Sequence, residues 1–200
     1  MQQPVTFRST FNKVLCIVAW AALAIVLVVV LVTPGALQRP FIPLGLAAVA
    51  AIIWAVLWSP HVRVDDDAVS IANVLREIRV PWAALIEIDT KYSLTLRVPG
   101  RLFSATAAPA PGQIVGLRAS RSHRGRGAGR GDLVRPGDLA STDSGHAAEL
   151  VRERWDRLRE AGAIETGVAD TTPVGIRPRL AEIATIVVAV AVLVTGALVR

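Results

Sequence analysis

The stretch VLCIVAWAALAIVLVVVLV, Val14 to Val32, decides the fold. It holds no charged residue, no Pro and no Gly. At 1.5 Å rise per residue a helix of that length about crosses a hydrocarbon core ~30 Å thick. A second uncharged run, FIPLGLAAVAAIIWAVLW, covers Phe41 to Trp58, beginning after Pro40 and stopping before Pro60. Trp54 and Trp58 stand one turn apart at its end, where indole rings suit a headgroup layer. Only Thr33 to Pro40 lie between the runs, too few residues to fold and rich in turn formers, so the two spans should form a tight antiparallel hairpin. A third apolar run, Ile183 to Val199, is interrupted only by Gly196 among weak helix formers. It is hydrophobic all round, whereas a core helix of a soluble domain shows a polar face.

These runs divide the chain. The expected boundaries are a tail over residues 1–13, spans over 14–33 and 41–58, one soluble domain over 59–165, a linker over 166–182 and a third span over 183–199. Net charge is +6 at a pI near 10.9, but all 16 Asp and Glu and 18 of the 22 Lys and Arg fall between Arg63 and Glu182. The soluble part therefore carries only about +2, and the global charge does not argue for nucleic acid. Arg8 and Lys13 precede the first span, Arg39 alone follows it, and Arg177 and Arg179 stand before the third. The excess of positive charge places the N-terminus and the soluble domain in the cytoplasm and the C-terminus outside, at the cell (inner) membrane. Cys16 is the only cysteine. That excludes a disulfide or thiolate metal cluster, and Leu15 before it does not fit a lipoprotein anchor. The first run exceeds the 7 to 15 residues of a signal-peptide core and lacks a clear cleavage site after it, so an uncleaved span is expected.

From Val62 the periodicity changes from continuous to alternating. Val62 and Val64, Val69 and Ile71, and Ile78 and Val80 repeat at a period of two, with Asp65 to Asp67 and Asn73 to Leu75 as turns. Pro81 interrupts the run before Trp82. Ile86 and Ile88 oppose Glu87 and Asp89, then Leu94, Leu96 and Val98 alternate with Ser93, Thr95 and Arg97. Pro99 and Gly100 make a tight turn, and Arg101 to Ala107 returns. The sum is a meander of about six short antiparallel strands, half-buried as a sheet.

APAPG, Ala108 to Gly112, ends the meander, and Gln113 to Leu117 is a candidate short strand. Residues 118–137 follow as an Arg/Gly-rich insert with almost no large apolar side chain, which cannot offset its ordering entropy and reads as a mobile loop. Beyond it, Ser144 is a candidate N-cap for a helix whose apolar face is Ala147, Val151, Trp155 and Leu158, with Gly162 at the C′ position. Val168 to Pro178 reads as the linker back to the third span.

The central Val80-Pro81-Trp82, the strand Leu94-Thr95-Leu96-Arg97, the Pro99-Gly100 turn, APAPG, and Pro136-Gly137-Asp138-Leu139 ahead of a helix with Arg154-Trp155 resemble the bacterial pleckstrin-homology-like (PH-like) domains. The two preceding spans and the use of 20 Arg against two Lys are similar to the membrane-anchored type found in actinobacteria. The resemblance covers roughly Ser59 to Gly162. It implies a partly open antiparallel β-barrel of two bent sheets with a C-terminal capping helix. Trp155 would then plug the barrel mouth, with Val151 and Leu158 beneath the helix.

The resemblance does not carry a phosphoinositide site. Eukaryotic members place Lys and Arg around the first hairpin, where this chain has Asp65, Asp66 and Asp67, which would repel a phosphate and read as a solvated turn. His61, His123 and His146 lack ligand spacing, so no metal is expected. The glycines of residues 125–131 lack the strand-before and helix-after context of a dinucleotide loop, and no P-loop, GxSxG or HExxH occurs, so no cofactor and no catalysis are expected. Candidate contacts to anionic lipid or a partner are Arg118, Arg121, Arg124, Arg126 and Arg130 in the insert, and Trp82. No aromatic is interleaved with those arginines for base stacking, which disfavours nucleic acid. The expected function is a membrane-tethered binding module for a protein partner, with anionic-lipid sensing through the insert as the alternative.

Overall fold

A computed structural model describes residues 3–33, 41–90, 93–109 and 142–198. Its elements in chain order are β1 (Val5–Phe7), α1 (Thr10–Val32), α2 (Phe41–Trp58), β2 (His61–Val64), β3 (Ala68–Ala72), β4 (Arg76–Pro81), β5 (Glu87–Asp89), β6 (Ser93–Val98), β7 (Arg101–Pro109), α3 (Asp143–Glu160), β8 (Gly175–Pro178) and α4 (Leu180–Leu198). The chain is α+β, with antiparallel sheets and three helices, α1, α2 and α4, long and apolar enough to cross a membrane.

α1 starts four residues before the uncharged run because Ser9 caps it, its Oγ accepting from the Asn12 N–H at 3.0 Å. α4 likewise starts at Leu180, which brings Glu182 into its first turn. The expected span, Ile183 to Val199, begins one residue later, so Glu182 sits at the helix entry, outside that span. α2 lies between the other two and runs antiparallel to both. Trp20 of α1 stacks on Trp58 of α2 at 6.4 Å and donates its indole N–H to the Ala50 carbonyl at 3.2 Å. Just beyond that shared carbonyl, α2 widens into a π turn over Trp54–Trp58. A side chain inserted into the carbonyl ladder is a recognised cause of such a change. At the other end, a Cβ on Gly196 would stand 3.4 Å from the Phe41 Cβ. That spacing is ordinary van der Waals contact, so α4 and α2 pack against each other at this point.

The strands form two antiparallel sheets, one in the order β1-β2-β3-β4-β8 and one in the order β5-β6-β7. In the larger sheet Phe7, Val62, Ile71, Ile78 and Ile176 stand in one register row across all five strands. Phe7, Val62, Ile71 and Ile78 of this row and their neighbours Val69 and Val80 face the core, meeting Leu94, Leu96 and Phe103 of the smaller sheet, with Ala147, Ala148 and Val151 of α3 in the same core, while Ile176 on the edge strand stays exposed. Burying a Val or Leu side chain contributes roughly 1.5–3 kcal/mol, so this shared interior sets the stability of the soluble part. In the adjacent row Thr6, Arg63, Arg79 and Gly175 are exposed, while Ser70 on the central strand is buried.

Two segments depart from expectation. Val5–Phe7 was placed in a tail and Gly175–Pro178 in a linker, yet they are the two edge strands of the larger sheet. With three and four residues, they are too short to show a period of two. α3 begins at Asp143 with Thr142, not Ser144, as its N-cap, the Thr142 Oγ1 accepting from the Gly145 N–H at 3.0 Å. Its other end follows expectation. Gly162 adopts φ 65° at C′, its N–H donates to the Arg159 carbonyl, and the Ala163 N–H reaches back to the Leu158 carbonyl at 2.9 Å, a Schellman closure.

Candidate functional site: the junction of the helices and the sheet

Chain direction places all three apolar helices at one end of the larger sheet. β1 runs into α1, α2 runs out into β2, and β8 runs into α4. Since the strands alternate in direction, His61, Pro178 and the β3–β4 hairpin tip at Asn73–Leu75 lie at the helix end. Val64, the Asp65–Asp67 turn and Pro81 lie at the far end.

Two polar clamps join the helix end. In the first, Asp143 at the start of α3 reaches the N-terminus of α1. It accepts the Ser9 hydroxyl and, at 3.4 Å each, the backbone N–H groups of Thr10 and Phe11. Those N–H groups have no partner inside their own helix, and the helix dipole favours an anion there. In the second clamp Arg179, one residue before α4, pairs with Glu182 and donates to Ser59 Oγ at 2.8 Å and to the Asn73 carbonyl at 2.9 Å. Ser59 Oγ donates to Glu182 at 2.9 Å, so the carboxylate joins the end of α2 to the start of α4. The Asn73 side chain in turn donates to the Ser104 carbonyl and accepts from the Thr106 N–H and hydroxyl, each at 2.9 Å, binding β7 to the same node. Ser9, Ser59, Asn73 and Glu182 are all buried. Among the described residues no buried side-chain nitrogen or oxygen lacks a partner.

The far end is held differently. Asp65 Oδ1 accepts from the N–H groups of Asp67 (3.0 Å) and Ala68 (2.7 Å), forming an Asx turn. Arg79 stands over Asp65 and Asp67 at 3.5 and 3.7 Å. Asp66 pairs with Arg154 of α3, whose guanidinium also donates to the Gln3 carbonyl at 3.3 Å. The expected turn is present and part-solvated, Asp67 being 86% exposed, and it is ion-paired as well; it points away from the apolar helices. α3 acts as a strut, fixed to α1 through Asp143 at one end and to the far turn through Arg154 at the other.

Of the residues singled out in the sequence, Arg118, Arg121, Arg124, Arg126 and Arg130 lie outside the described residues, as does Gln113 to Leu117. Trp82 is corrected from a contact residue to a core residue. It is 4% exposed, and its indole N–H donates to the Asp65 carbonyl at 3.1 Å. Val151 is fully buried, while Trp155 and Leu158 pack on the core only in part, with the Arg159 guanidinium 5.5 Å from the Trp155 ring. The deeply placed neighbour is Arg154, because the buried face of α3 runs through Ala147, Val151 and Arg154 at helical spacing. Pro99 and Gly100 close the β6–β7 hairpin between Val98 and Arg101, with Gly100 at φ 69°. Asn73 reads in the sequence as a turn residue and Arg179 as a charge flanking the third run, but nothing in the sequence joins them to Ser9, Ser59, Asp143 and Glu182, which complete the junction. No group of three or more His, Cys, Asp or Glu that could hold a metal occurs among the described residues.

Two packed antiparallel sheets with a helix after the smaller sheet form a small α+β domain, continuous with the apolar helices. Residues 59–157 match the family model of the bacterial PH domain, so the chain carries a PH-like domain. β1 and β8 fall outside that match and extend the domain's sheet on both sides. No curated protein and no solved structure matches the chain.

Proposed function

We propose that the chain is a membrane-tethered, non-catalytic PH-like binding module, held at the cytoplasmic face of a cell membrane by three spans, where it docks a protein partner or supports a membrane complex. The observation that carries this reading is the identity of the sheet's edges. β1 and β8, the strands that lead into α1 and α4, close the domain's larger sheet, and β2 continues from α2. Three of five strands are thus covalent continuations of apolar helices, which favours a domain held in one orientation over one swinging on a leash. Fixed orientation near the bilayer raises the effective concentration of any partner there. Edge strand β8, with all four residues exposed, presents backbone groups that an extended segment of a partner can pair with. The N-terminal end of α1 and the domain share one side, and the basic residues Arg8, Lys13, Arg76, Arg177 and Arg179 on that side support a cytoplasmic placement. PH domains are generally binding modules, which supports the non-catalytic part of the reading.

A photo-crosslinking residue in place of Ile176, in the full chain in its native membrane, tests the partner. A discrete protein adduct is expected, and lipid adducts alone would remove the protein-partner reading. A reporter enzyme fused at His123 and active only on the exterior would overturn the orientation. The second reading is anionic-lipid sensing through Arg118, Arg121, Arg124, Arg126 and Arg130, each basic side chain near an anionic leaflet contributing about 1 kcal/mol. Enrichment of labelled anionic lipid around the nanodisc-embedded protein, lost on deletion of residues 118–137, would favour it.

A further inference from the structure

We infer that the β3–β4 hairpin tip, Asn73-Val74-Leu75-Arg76, is a lipid-contact element that places Leu75 in the headgroup layer of an anionic bilayer with Arg76 on the phosphates. The inference rests on the membrane reading of α1, α2 and α4, and it concerns a surface separate from the Arg-rich insert. The tip is closed by the Asn73 N–H donating to the Arg76 carbonyl at 2.9 Å. It is tied to the entry of α4 by two bonds, the Arg179 N–H to the Leu75 carbonyl at 3.0 Å and the Arg179 guanidinium to the Asn73 carbonyl at 2.9 Å. Arg76 stands opposite Pro178 in the β4–β8 register. Leu75 is therefore level with the residue that precedes Leu180, the first residue of α4.

That depth is where an apolar helix ~28 Å long leaves the hydrocarbon and enters the headgroups. The tip's polar side chain, Asn73, is turned inward and fully engaged with Ser104 and Thr106. What the tip presents outward is an apolar side chain, Leu75, 55% exposed, followed by an exposed Arg76. A leucine beside a cation suits the layer between acyl chains and phosphates, where the apolar body and the charge find their own solvents. The acidic Asp65–Asp67 turn lies at the opposite end of the sheet.

The test uses the full chain in nanodiscs containing phosphatidylglycerol, with Cys16→Ser removing the native thiol. A fluorophore is attached at Leu75→Cys, at Asp67→Cys on the far turn, or at Val28→Cys inside α1, and headgroup spin-labelled lipid serves as quencher. Quenching at position 75 is expected to exceed that at position 67 by ~3-fold or more. Adding Arg76→Gln, or replacing phosphatidylglycerol with phosphatidylcholine, should reduce quenching at 75 about 2-fold, since the cation's attraction depends on the anionic surface. Equal quenching at 75 and 67 with strong quenching at 28 would overturn the tip contact while leaving the spans in place. Absence of quenching at 28 would overturn the membrane reading and the tip contact together.

Discussion

The two ends of the larger sheet are both fastened by Arg-carboxylate pairs, yet the pairs differ in burial and in what they join. At the helix end the side chains of Arg179 and Glu182 are 13% and 12% exposed, and Ser59 and the Asn73 carbonyl add hydrogen bonds to the pair. At the far end Arg154 is buried but Asp66 is 30% exposed, and Arg79, which spans Asp65 and Asp67, is half in solvent. Desolvated charges are stable only as a complete set, whereas exposed ones can exchange a partner for water. The helix end therefore behaves as one unit, and the far end as several separable contacts.

The largest expected effect breaks that unit. Arg179→Met strands the Glu182 carboxylate beside Ser59 and leaves the Asn73 carbonyl without its guanidinium, and should destabilise by about 3–5 kcal/mol. The double variant Arg179→Met/Glu182→Met removes both charges and should recover more than half of that loss. Thermal unfolding in detergent micelles measures both, and a double variant as unstable as the sum of its singles would show that the node is not coupled. The far end should respond asymmetrically. Asp66→Ala leaves a buried guanidinium with the Gln3 carbonyl as its remaining partner among the described residues and should lose about 2–3 kcal/mol. Arg154→Met leaves an aspartate that can hydrate and should lose about 1 kcal/mol. Equal losses would mean that Asp66 is as desolvated as Arg154. At the helix end's other clamp, Asp143→Ala removes the carboxylate from the α1 N-terminus and should lose about 1–2 kcal/mol. Asp143→Asn should recover part of this, since the acceptor remains and the charge does not.

The same contrast separates what was legible in the sequence from what was not. The apolar helices and strands β2 to β7 follow from composition and a period of two, signals that lie within a few consecutive residues. β1 and β8 were invisible because three or four residues beside prolines carry no period, and each becomes a strand only when β2 and β4 offer an edge. The junction was hidden for a stronger reason. Ser9 and Asp143 are 134 residues apart and Ser59 and Glu182 are 123 apart, so no local pattern can announce the pairing. Arg154 was overlooked beside Trp155 because an aromatic at helical spacing reads as core, while a buried arginine depends on a carboxylate supplied by a distant turn. One consequence is practical. A fragment limited to residues 59–162 lacks both edge strands and the Arg179–Glu182 pair, so binding studies require the whole chain.

Two smaller effects sharpen the comparison. Gly100→Ala forces a Cβ into φ 69° at the β6–β7 turn, where open space surrounds it, so the loss is purely conformational and about 1 kcal/mol.

Arg79→Ala should have the smallest effect, about 0–0.5 kcal/mol, although Arg79 touches two aspartates. Its guanidinium is already half hydrated, Asp67 is almost wholly in solvent, and Asp65 keeps the two backbone N–H bonds that form the turn. Loss of the cation therefore leaves no unsatisfied buried group, and the stability difference from the parent should shrink further as salt screens the exposed pair. A loss above about 2 kcal/mol that persists at 1 M salt, where the Debye length is ~3 Å, would mean that the far end is as tightly coupled as the helix end. The distinction between one cooperative node and several separable contacts would then not hold.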